Sequence, residues 1–182
     1  DSREGCNAII ETATNTLIQG CNSTIIPSSV TEIGENAFEG CTSLTSVVIP
    51  EGVTKIGKYA FYDCTSLTSI VVEEGNSVYD SREGCNAIIE TATNKLIKGS
   101  NSTIIPSSVT AIGYVAFRGC TSLTSIEIPS SVTEIGGSTF SGCTSLTSVV
   151  IPEGVTAIGN LAFSGCSSLT SIAIPSSVTA IG

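Results

Sequence analysis

Cysteine is the residue type in this chain with the widest range of possible chemistry, because the chain has eight cysteines and no histidine. Metal sites use closely spaced cysteines, usually together with histidine. Five cysteines instead recur at one position of a repeated pattern, each at least a full repeat unit from the next. The spacing therefore predicts a column of small buried thiols rather than a metal or redox site. These five are Cys41, Cys64, Cys120, Cys143 and Cys166.

Cys6 and Cys21 are the candidate disulfide pair, since they lie in one segment near the start of the chain. Residues 80–94 repeat residues 1–15 letter for letter, so Cys85 is the equivalent of Cys6. Further along the same alignment, Ser100 stands where the first long unit has Cys21. A bridge that the fold requires would not be missing from one of two copies. The sequence therefore favours free thiols at both positions.

Catalytic groups are not evident. Without histidine there is no Ser-His or Cys-His pair that could activate a nucleophile. Glu32 and Glu134 recur at one repeat position, but Lys55 and Ala111 occupy the same position in other copies, which is typical of a tolerant surface. We therefore predict that the chain is not an enzyme and needs no cofactor.

The charge and hydropathy of the chain exclude further classes of function. The net charge is −9, so the basic footprint of a nucleic-acid-binding protein is absent. No apolar run of about 18 residues could form a membrane span. The acidic residues Glu73, Glu74, Asp80 and Glu83 could offer oxygen ligands to calcium, but they lack the regular spacing of a calcium loop, which favours solvated charge.

An internal repeat of about 23 residues organises the whole chain, as the proline positions show, and such a period is typical of a solenoid. The interval from Pro50 to Pro106 is longer than two regular units, so one unit within it carries an insertion. We predict one repeat domain over 1–182, a fragment of a longer chain, with partial units 1–25 and 174–182, two regular units 26–71, a long unit 72–104 and three regular units 105–173.

Each unit predicts a strand followed by a turn. Leu44-x-x-Val47-x-Ile49 fits the strand signature of leucine-rich repeats, and Pro50 would end that strand. The segment 58–64 is expected to form a short helical or 3₁₀ turn. The predicted fold is a right-handed α/β repeat solenoid with a parallel β-sheet on its concave face and these turns on its convex face. Its core would contain the five cysteines and Phe38, Phe61, Phe117, Phe140 and Phe163.

The outward positions of the predicted strands form a candidate partner-binding surface, since the extended faces of solenoids bind partners. Strand propensity alone explains the valines equally well. These positions are Ser46, Val48, Ser69, Val71, Ser125, Glu127, Ser148, Val150, Ser171 and Ala173.

The repeated motif Ile-Pro-x-x-Val-x-x-Ile-Gly-x-x-Ala-Phe-x-x-Cys-x-x-Leu-x-x-Ile resembles that of the BspA-like, Treponema pallidum-type leucine-rich repeat proteins. The resemblance covers essentially the whole chain. Residues 85–91, Cys-Asn-Ala-Ile-Ile-Glu-Thr, also resemble an insertion in Bacteroides-type members. The resemblance implies a secreted or surface-displayed protein that adheres to host matrix, host cells or other bacteria.

Three functional hypotheses follow. The first is a non-enzymatic bacterial adhesion module, extracellular or at the cell surface, whose partner is a host matrix protein, a cell-surface protein or another copy of itself. The second is a structural protein that assembles end to end into filaments, which the near-identical units would suit. The third is a designed or consensus repeat scaffold.

Overall fold

A computed structural model describes residues 5–182, which form a parallel-strand β-solenoid of about seven turns with a spacing of about 23 residues. The predicted fold class is confirmed. No helix among the described residues is long and apolar enough to cross a membrane.

The strands are short because each turn of the solenoid has several corners. The described residues include a 3₁₀ turn, Arg82–Gly84, and fifteen strands. The strands are β1 (Ile9–Glu11), β2 (Thr16–Gln19), β3 (Glu32–Ile33), β4 (Ser46–Ile49), β5 (Lys55–Ile56), β6 (Ser69–Val72), β7 (Tyr79–Asp80), β8 (Ala87–Glu90), β9 (Lys95–Gly99), β10 (Ala111–Ile112), β11 (Ser125–Glu127), β12 (Glu134–Ile135), β13 (Ser148–Val150), β14 (Ala157–Ile158) and β15 (Ala180–Ile181).

The first strand of each regular unit shows the predicted alternation of buried and exposed side chains. β4 pairs with β6 in parallel, with Ser46 opposite Ser69, and β11 pairs with β13 in the same register. Within β4, Val47 and Ile49 are buried whereas Ser46 and Val48 are exposed. Side chains on a strand alternate between its two faces, so one face builds the core and the other faces solvent.

The short second strands of the regular units pair with one another into longer sheets. β3 and β5 pair in parallel, as do β10, β12, β14 and β15 in succession. A glycine follows each of these strands where neighbouring coils approach closely. A Cβ atom on Gly57, for example, would lie 2.5 Å from the backbone nitrogen of Glu35, a separation that packed atoms do not tolerate.

The long units interrupt this second row of strands with antiparallel hairpins. β1 pairs with β2, and β7, β8 and β9 pair in turn. The row is therefore divided into a four-stranded sheet, β1-β2-β3-β5, and a seven-stranded sheet, β15-β14-β12-β10-β9-β8-β7. At the boundary, the backbone amide of Ile56 donates to the Tyr79 hydroxyl instead of to a strand. We call this boundary the junction.

The segment 58–64, which was predicted to form a short helix or 3₁₀ turn, and its equivalents are successive turns instead. In the first regular unit, the amide of Glu39 donates to Asn36 O within its own turn at 2.9 Å, whereas the amide of Phe38 donates to Ala60 O of the next coil at 2.7 Å. Asn36 has a positive φ of 55°, which breaks a helical backbone. Alternate amides thus bond within and between coils, so no continuous helix can form.

Columns of aromatic rings and thiols fill the core. Phe38 stacks on Phe61 with centroids 5.1 Å apart, and Phe140 stacks between Phe117 and Phe163 at 5.2 and 5.3 Å. The aromatic column is interrupted at the junction, and the buried apolar residues correspondingly form two clusters, one on each side.

Candidate binding surfaces

The outward strand positions lie on one exposed face. Val48 and Val71 sit opposite each other in the β4–β6 pair, and Glu127 sits opposite Val150 in the β11–β13 pair. Of the ten residues predicted for this surface, Ser69 is half-buried and the other nine are exposed, including Val150 at 65%. The structure therefore places all ten where a partner can reach them.

Two residues of this surface were missed from the sequence. Ile25 stands one regular repeat before Val48, and Ile104 stands one regular repeat before Glu127. They are the most exposed large apolar residues among those described, at 76% and 79%. The 23-residue spacing predicts both positions when the end of each long unit is aligned with the end of the regular unit that follows it. We define the outer strand column as Ile25, Val48, Val71, Ile104, Glu127, Val150 and Ala173.

The outer strand column is apolar except for one residue, Glu127. Serines run beside it at Ser46, Ser125 and their equivalents. A shallow hollow lies next to Ile104, where the chain before Pro106 is not hydrogen-bonded to β11, and Glu127 forms part of its wall. An apolar strip of this kind, flanked by small polar groups, can bind a protein but offers no catalytic group.

The column of five cysteines is buried and its thiols are hydrogen-bonded to carbonyls. Cys64 Sγ donates to Phe38 O at 3.2 Å, and Cys143 Sγ donates to Phe117 O at the same distance. Burial raises the pKa of Cys64 to about 12 and also raises that of Cys143. Because the thiolate is the nucleophile and metal ligand, these protonated thiols suit a structural role.

The candidate disulfide between Cys6 and Cys21 is not formed: both are free thiols. Cys6 is buried, whereas the partly exposed Cys21 directs its sulfur to the carbonyl of Asn7 at 3.3 Å and to the Ser23 hydroxyl at 3.4 Å. The side chain of Cys21 thus has other partners, and the bridge is replaced by a local hydrogen-bond network.

The acidic residues do not gather into a metal site. Residues 5–182 contain no group of three or more cysteine, aspartate and glutamate side chains that could hold a metal ion. Asp80 is paired with Arg82, whose Nη2 lies 2.6 Å from Asp80 Oδ2. Glu73 Oε2 accepts the backbone amide of Glu51 at 3.0 Å. These carboxylates are engaged in local contacts.

Comparison with known proteins gives one consistent family. A model described as the BspA type leucine rich repeat region matches residues 14–85 and 86–182, in six copies. Among curated proteins, none matches the chain.

Three solved structures are similar to the chain. A leucine-rich cell surface protein from Faecalibacterium prausnitzii is 34% identical over 87% of this chain and 44% of its own, with a TM-score of 0.75. A leucine-rich repeat protein from Bacteroides ovatus is 36% identical over 80% of this chain and 35% of its own, with a TM-score of 0.50. The pneumococcal vaccine antigen PcpA is 22% identical over 86% and 45%, with a TM-score of 0.72. The chain thus spans less than half the length of each.

Proposed function

Because the chain belongs to the BspA-type leucine-rich repeat family, we propose that it is a non-enzymatic module that binds a protein partner outside the cell or at the cell surface. The Faecalibacterium prausnitzii relative, at 34% identity, is a cell surface protein, which supports that location. The partner is a host matrix protein, another cell-surface protein or a second copy of this chain.

The exposed outer strand column is the observation that carries this proposal. Ile25, Ile104 and Val150 are each more than 60% exposed, although Ile and Val are among the residue types most often buried. Contiguous exposed apolar strips are typical of interaction sites. A partner that packs an apolar segment along the strip would bury these side chains, while the adjacent serines supply hydrogen bonds at its edge.

A pair of double variants tests this role. Serine at Ile25 and Ile104 removes the two most exposed apolar side chains of the column. The matched control places serine at Ile9 and Leu161, which are also exposed, at 60% and 67%, but lie outside the column. Ser138 already stands at the position equivalent to Leu161 in another unit, so serine at 161 is compatible with the fold.

The measurement is surface plasmon resonance against immobilised fibronectin, laminin and collagen. We expect binding of the unmodified chain to at least one of them, loss of about tenfold or more in affinity for the column variant, and no change for the control. Equal effects of both variants would contradict the proposal.

Light scattering of the same variants tests self-association. Growth of mass with concentration that the column variant abolishes would identify a second copy as the partner. Growth that the column variant leaves unchanged would instead favour end-to-end assembly into filaments, and no growth together with matrix binding supports a monomeric adhesion module.

A further inference from the structure

A cavity of about 280 Å³ opens at the junction, on the side of the solenoid formed by the turns. It exists because β5 has no strand partner beyond it among the described residues, so the turn after β5 faces β9 and the turn after β10 across a gap. The volume is close to the lower end of the range for small-ligand pockets. The lining residues that carry polar side chains are Lys58, Tyr59, Tyr62, Lys95, Lys98 and Tyr114.

The lining is cationic in a chain that is strongly acidic. Three of the seven Lys and Arg residues of the chain line the cavity: Lys58, Lys95 and Lys98. No carboxylate is among the lining residues, although the net charge of the chain is −9. Local positive charge enclosed by low-dielectric walls attracts anions and raises their local concentration.

Lys98 is the most unusual of these cations, since the residue is only 6% exposed. Its ammonium donates one long hydrogen bond, to Arg118 O at 3.5 Å, and has no ion-pair partner among the described residues. Burying a charge is unfavourable unless it is paired. An anion bound in the cavity would supply the missing partner.

Arg118 adds a second underused donor beside the cavity. Its Nε atom lies 3.3 Å from Asp63 Oδ1, within ion-pair distance, but the N–H group is buried and makes no hydrogen bond within residues 5–182. Its guanidinium carbon lies 4.4 Å from the centre of the Tyr62 ring. The side chain is therefore held in place while its Nε–H group remains able to donate a hydrogen bond.

Backbone amides at the junction are also free. In the preceding coil the amide of Phe38 donates to Ala60 O in the next coil at 2.7 Å. The equivalent amide, that of Phe61, and the neighbouring amide of Tyr59 have no acceptor in the part of the chain that the structure describes, because the next coil does not approach them. Both residues line the cavity, and unpaired backbone N–H groups are good anion donors.

Tyrosine rings complete the lining with apolar surface. The chain has four tyrosines, and three meet here: Tyr59 contacts Tyr62 edge to face with centroids 5.3 Å apart, and lies 6.0 Å from Tyr114. Lys58 Nζ sits 4.7 Å from the centre of the Tyr59 ring. Ring faces beside cations suit a ligand that joins an anionic group to a ring or apolar face.

The internal repeat shows that these residues are particular to the junction. Residues 80–125 differ from residues 1–46 at only seven positions. At those positions the first copy has three glutamates and no basic residue, whereas the second has two lysines, one arginine and no acidic residue. Five of the seven residues in the second copy line or adjoin the cavity: Lys95, Lys98, Tyr114, Val115 and Arg118.

We propose that the junction cavity binds a small anionic ligand, one with a carboxylate, sulfate or phosphate group attached to a ring. The Lys98 ammonium and the free amides of Tyr59 and Phe61 bind the anionic group, Lys95 contributes to the attracting field, and the tyrosine rings pack against the ligand's ring. The cavity admits a ligand the size of one sugar unit. This site lies apart from the outer strand column and does not depend on it.

The test variant restores the first copy's residues, Lys95→Thr with Lys98→Gln. It is expected to fold, because Gln19, which stands at the place equivalent to Lys98, donates to Gly20 O at 3.1 Å and to Ala37 O at 3.3 Å. The control, Ser164→Glu with Ala180→Glu, lowers the net charge by the same two units on exposed positions away from the cavity. Glutamate is compatible with both positions, since Glu39 and Glu32 occupy them in the first regular unit.

The experiment titrates the ¹⁵N-labelled chain at constant ionic strength with glucuronate, sulfate and phosphate, and with glucose as the neutral probe. We expect saturable shifts of the Gly57 and Gly113 amides, which line the cavity, with at least one anion and none with glucose. Strongest binding of glucuronate would assign a sugar acid, and strongest binding of an inorganic anion would assign a sulfate or phosphate group.

The cavity variant should bind at least about tenfold more weakly, as expected for loss of a charge-assisted contact, and the charge control should bind within about twofold of the unmodified chain. The proposal is overturned if no anion gives saturable shifts at Gly57 and Gly113. It is also overturned if both variants lose the same affinity, because that result would show that the net charge of the chain, and not the cavity, determines anion binding.

Discussion

At the scale of single residues, Phe117 is closely packed on both faces of its ring. Its ring stacks on Phe140 on one side, and on the other it covers Gly99, where an added Cβ atom would lie 2.2 Å from the ring. The glycine at the end of β9 is therefore required by the ring that lies over it. Gly20 is related to Phe38 in the same way, at 2.3 Å. In both long units, a glycine therefore leaves room for the first phenylalanine ring of an aromatic column.

Phe117→Ala should lower the free energy of unfolding by about 3–5 kcal/mol, because it removes a fully buried ring and leaves a cavity between Gly99 and Phe140. Phe163→Ala is the matched control, since that ring is only partly buried and stacks on one neighbour among the described residues. Urea unfolding of both variants measures the difference. An equal loss for the two would contradict the packing described for Phe117.

The thiols differ in reactivity according to their surroundings. Hydrogen bonds from Ser23, and then from Thr24, lower the pKa of the Cys21 thiol, whereas burial raises that of Cys41, Cys64 and the other column cysteines. As pH rises, Cys21 therefore reaches the reactive thiolate form before the column does.

Native-state alkylation with iodoacetamide tests this order. At mildly alkaline pH we expect mass spectrometry of the peptides to find Cys21 modified well before any column cysteine, and the rate at Cys21 to fall as the pH is lowered. Cys21→Ser should abolish the fast phase without unfolding the chain, because Ser100 holds the equivalent place in the second long unit. Fast labelling at Cys64 would show that the column is not buried as described.

At the scale of secondary-structure elements, the strands could be predicted and the junction could not. The alternation of Val47 and Ile49 with Ser46 and Val48 predicted β4 and its equivalents, since one buried face specifies the register of a strand. The turns were predicted as short helices or 3₁₀ turns because nothing in the composition of Ala60-Phe61 excludes either. Positive φ angles at non-glycine residues such as Asn36 and Val115 accompany amide bonds between coils that a single unit does not reveal.

The junction cavity escaped prediction for a different reason. Its two walls, around Tyr59 and Tyr114, are far apart in the sequence and meet only because β7, β8 and β9 fold back as hairpins instead of continuing the parallel row. The insertion in the long unit was visible in the spacing, but its pairing was not. Comparison of the two long copies could have pointed to Lys95 and Lys98 as residues that distinguish them.

Asn101 joins the long unit to the coils on both sides of it. Its Nδ2 donates to Thr65 O at 2.9 Å and to Leu67 O at 3.1 Å, and its Oδ1 accepts the amide of Ser122 at 3.0 Å. Asn22 is the equivalent residue in the first long unit, and its Oδ1 accepts a hydrogen bond from the amide of Ser43 at 3.1 Å. Within residues 5–182, this is the single hydrogen bond of the Asn22 side chain.

Each hydrogen bond has a net value of about 0.5–1.5 kcal/mol. Asn101→Ala, which removes three, should therefore destabilise the chain by about 1.5–4.5 kcal/mol, and Asn22→Ala, which removes one, by about 0.5–1.5 kcal/mol. Thermal or urea unfolding of the two variants makes the comparison. If Asn22→Ala proved as damaging as Asn101→Ala, the contacts of the long unit with the coil before it would not contribute to stability.

At the scale of the whole molecule, the solenoid consists of two packed stacks that share one outer face. The buried core divides at the junction into two clusters. On the outer face, the amide of Asn101 donates to Leu67 O at 2.8 Å and the Ser100 hydroxyl donates to Thr68 O at 3.3 Å, which sets the segment before Ile104 beside the segment before Val71. A partner lying along the column would contact both stacks at once. The surface proposed for protein binding is thus longer than either core cluster, and the anion-binding cavity lies on a different side of the same junction.

Hydroxyl-radical footprinting of the chain, alone and bound to the matrix protein that it binds best, tests the proposed function most directly. We predict that binding protects Ile25, Val71, Ile104 and Val150 from oxidation, while Ile9 and Leu161, exposed elsewhere, are oxidised as before. Protection of Ile9 and Leu161 with no change along the column would contradict the account and move the binding surface to another face of the solenoid.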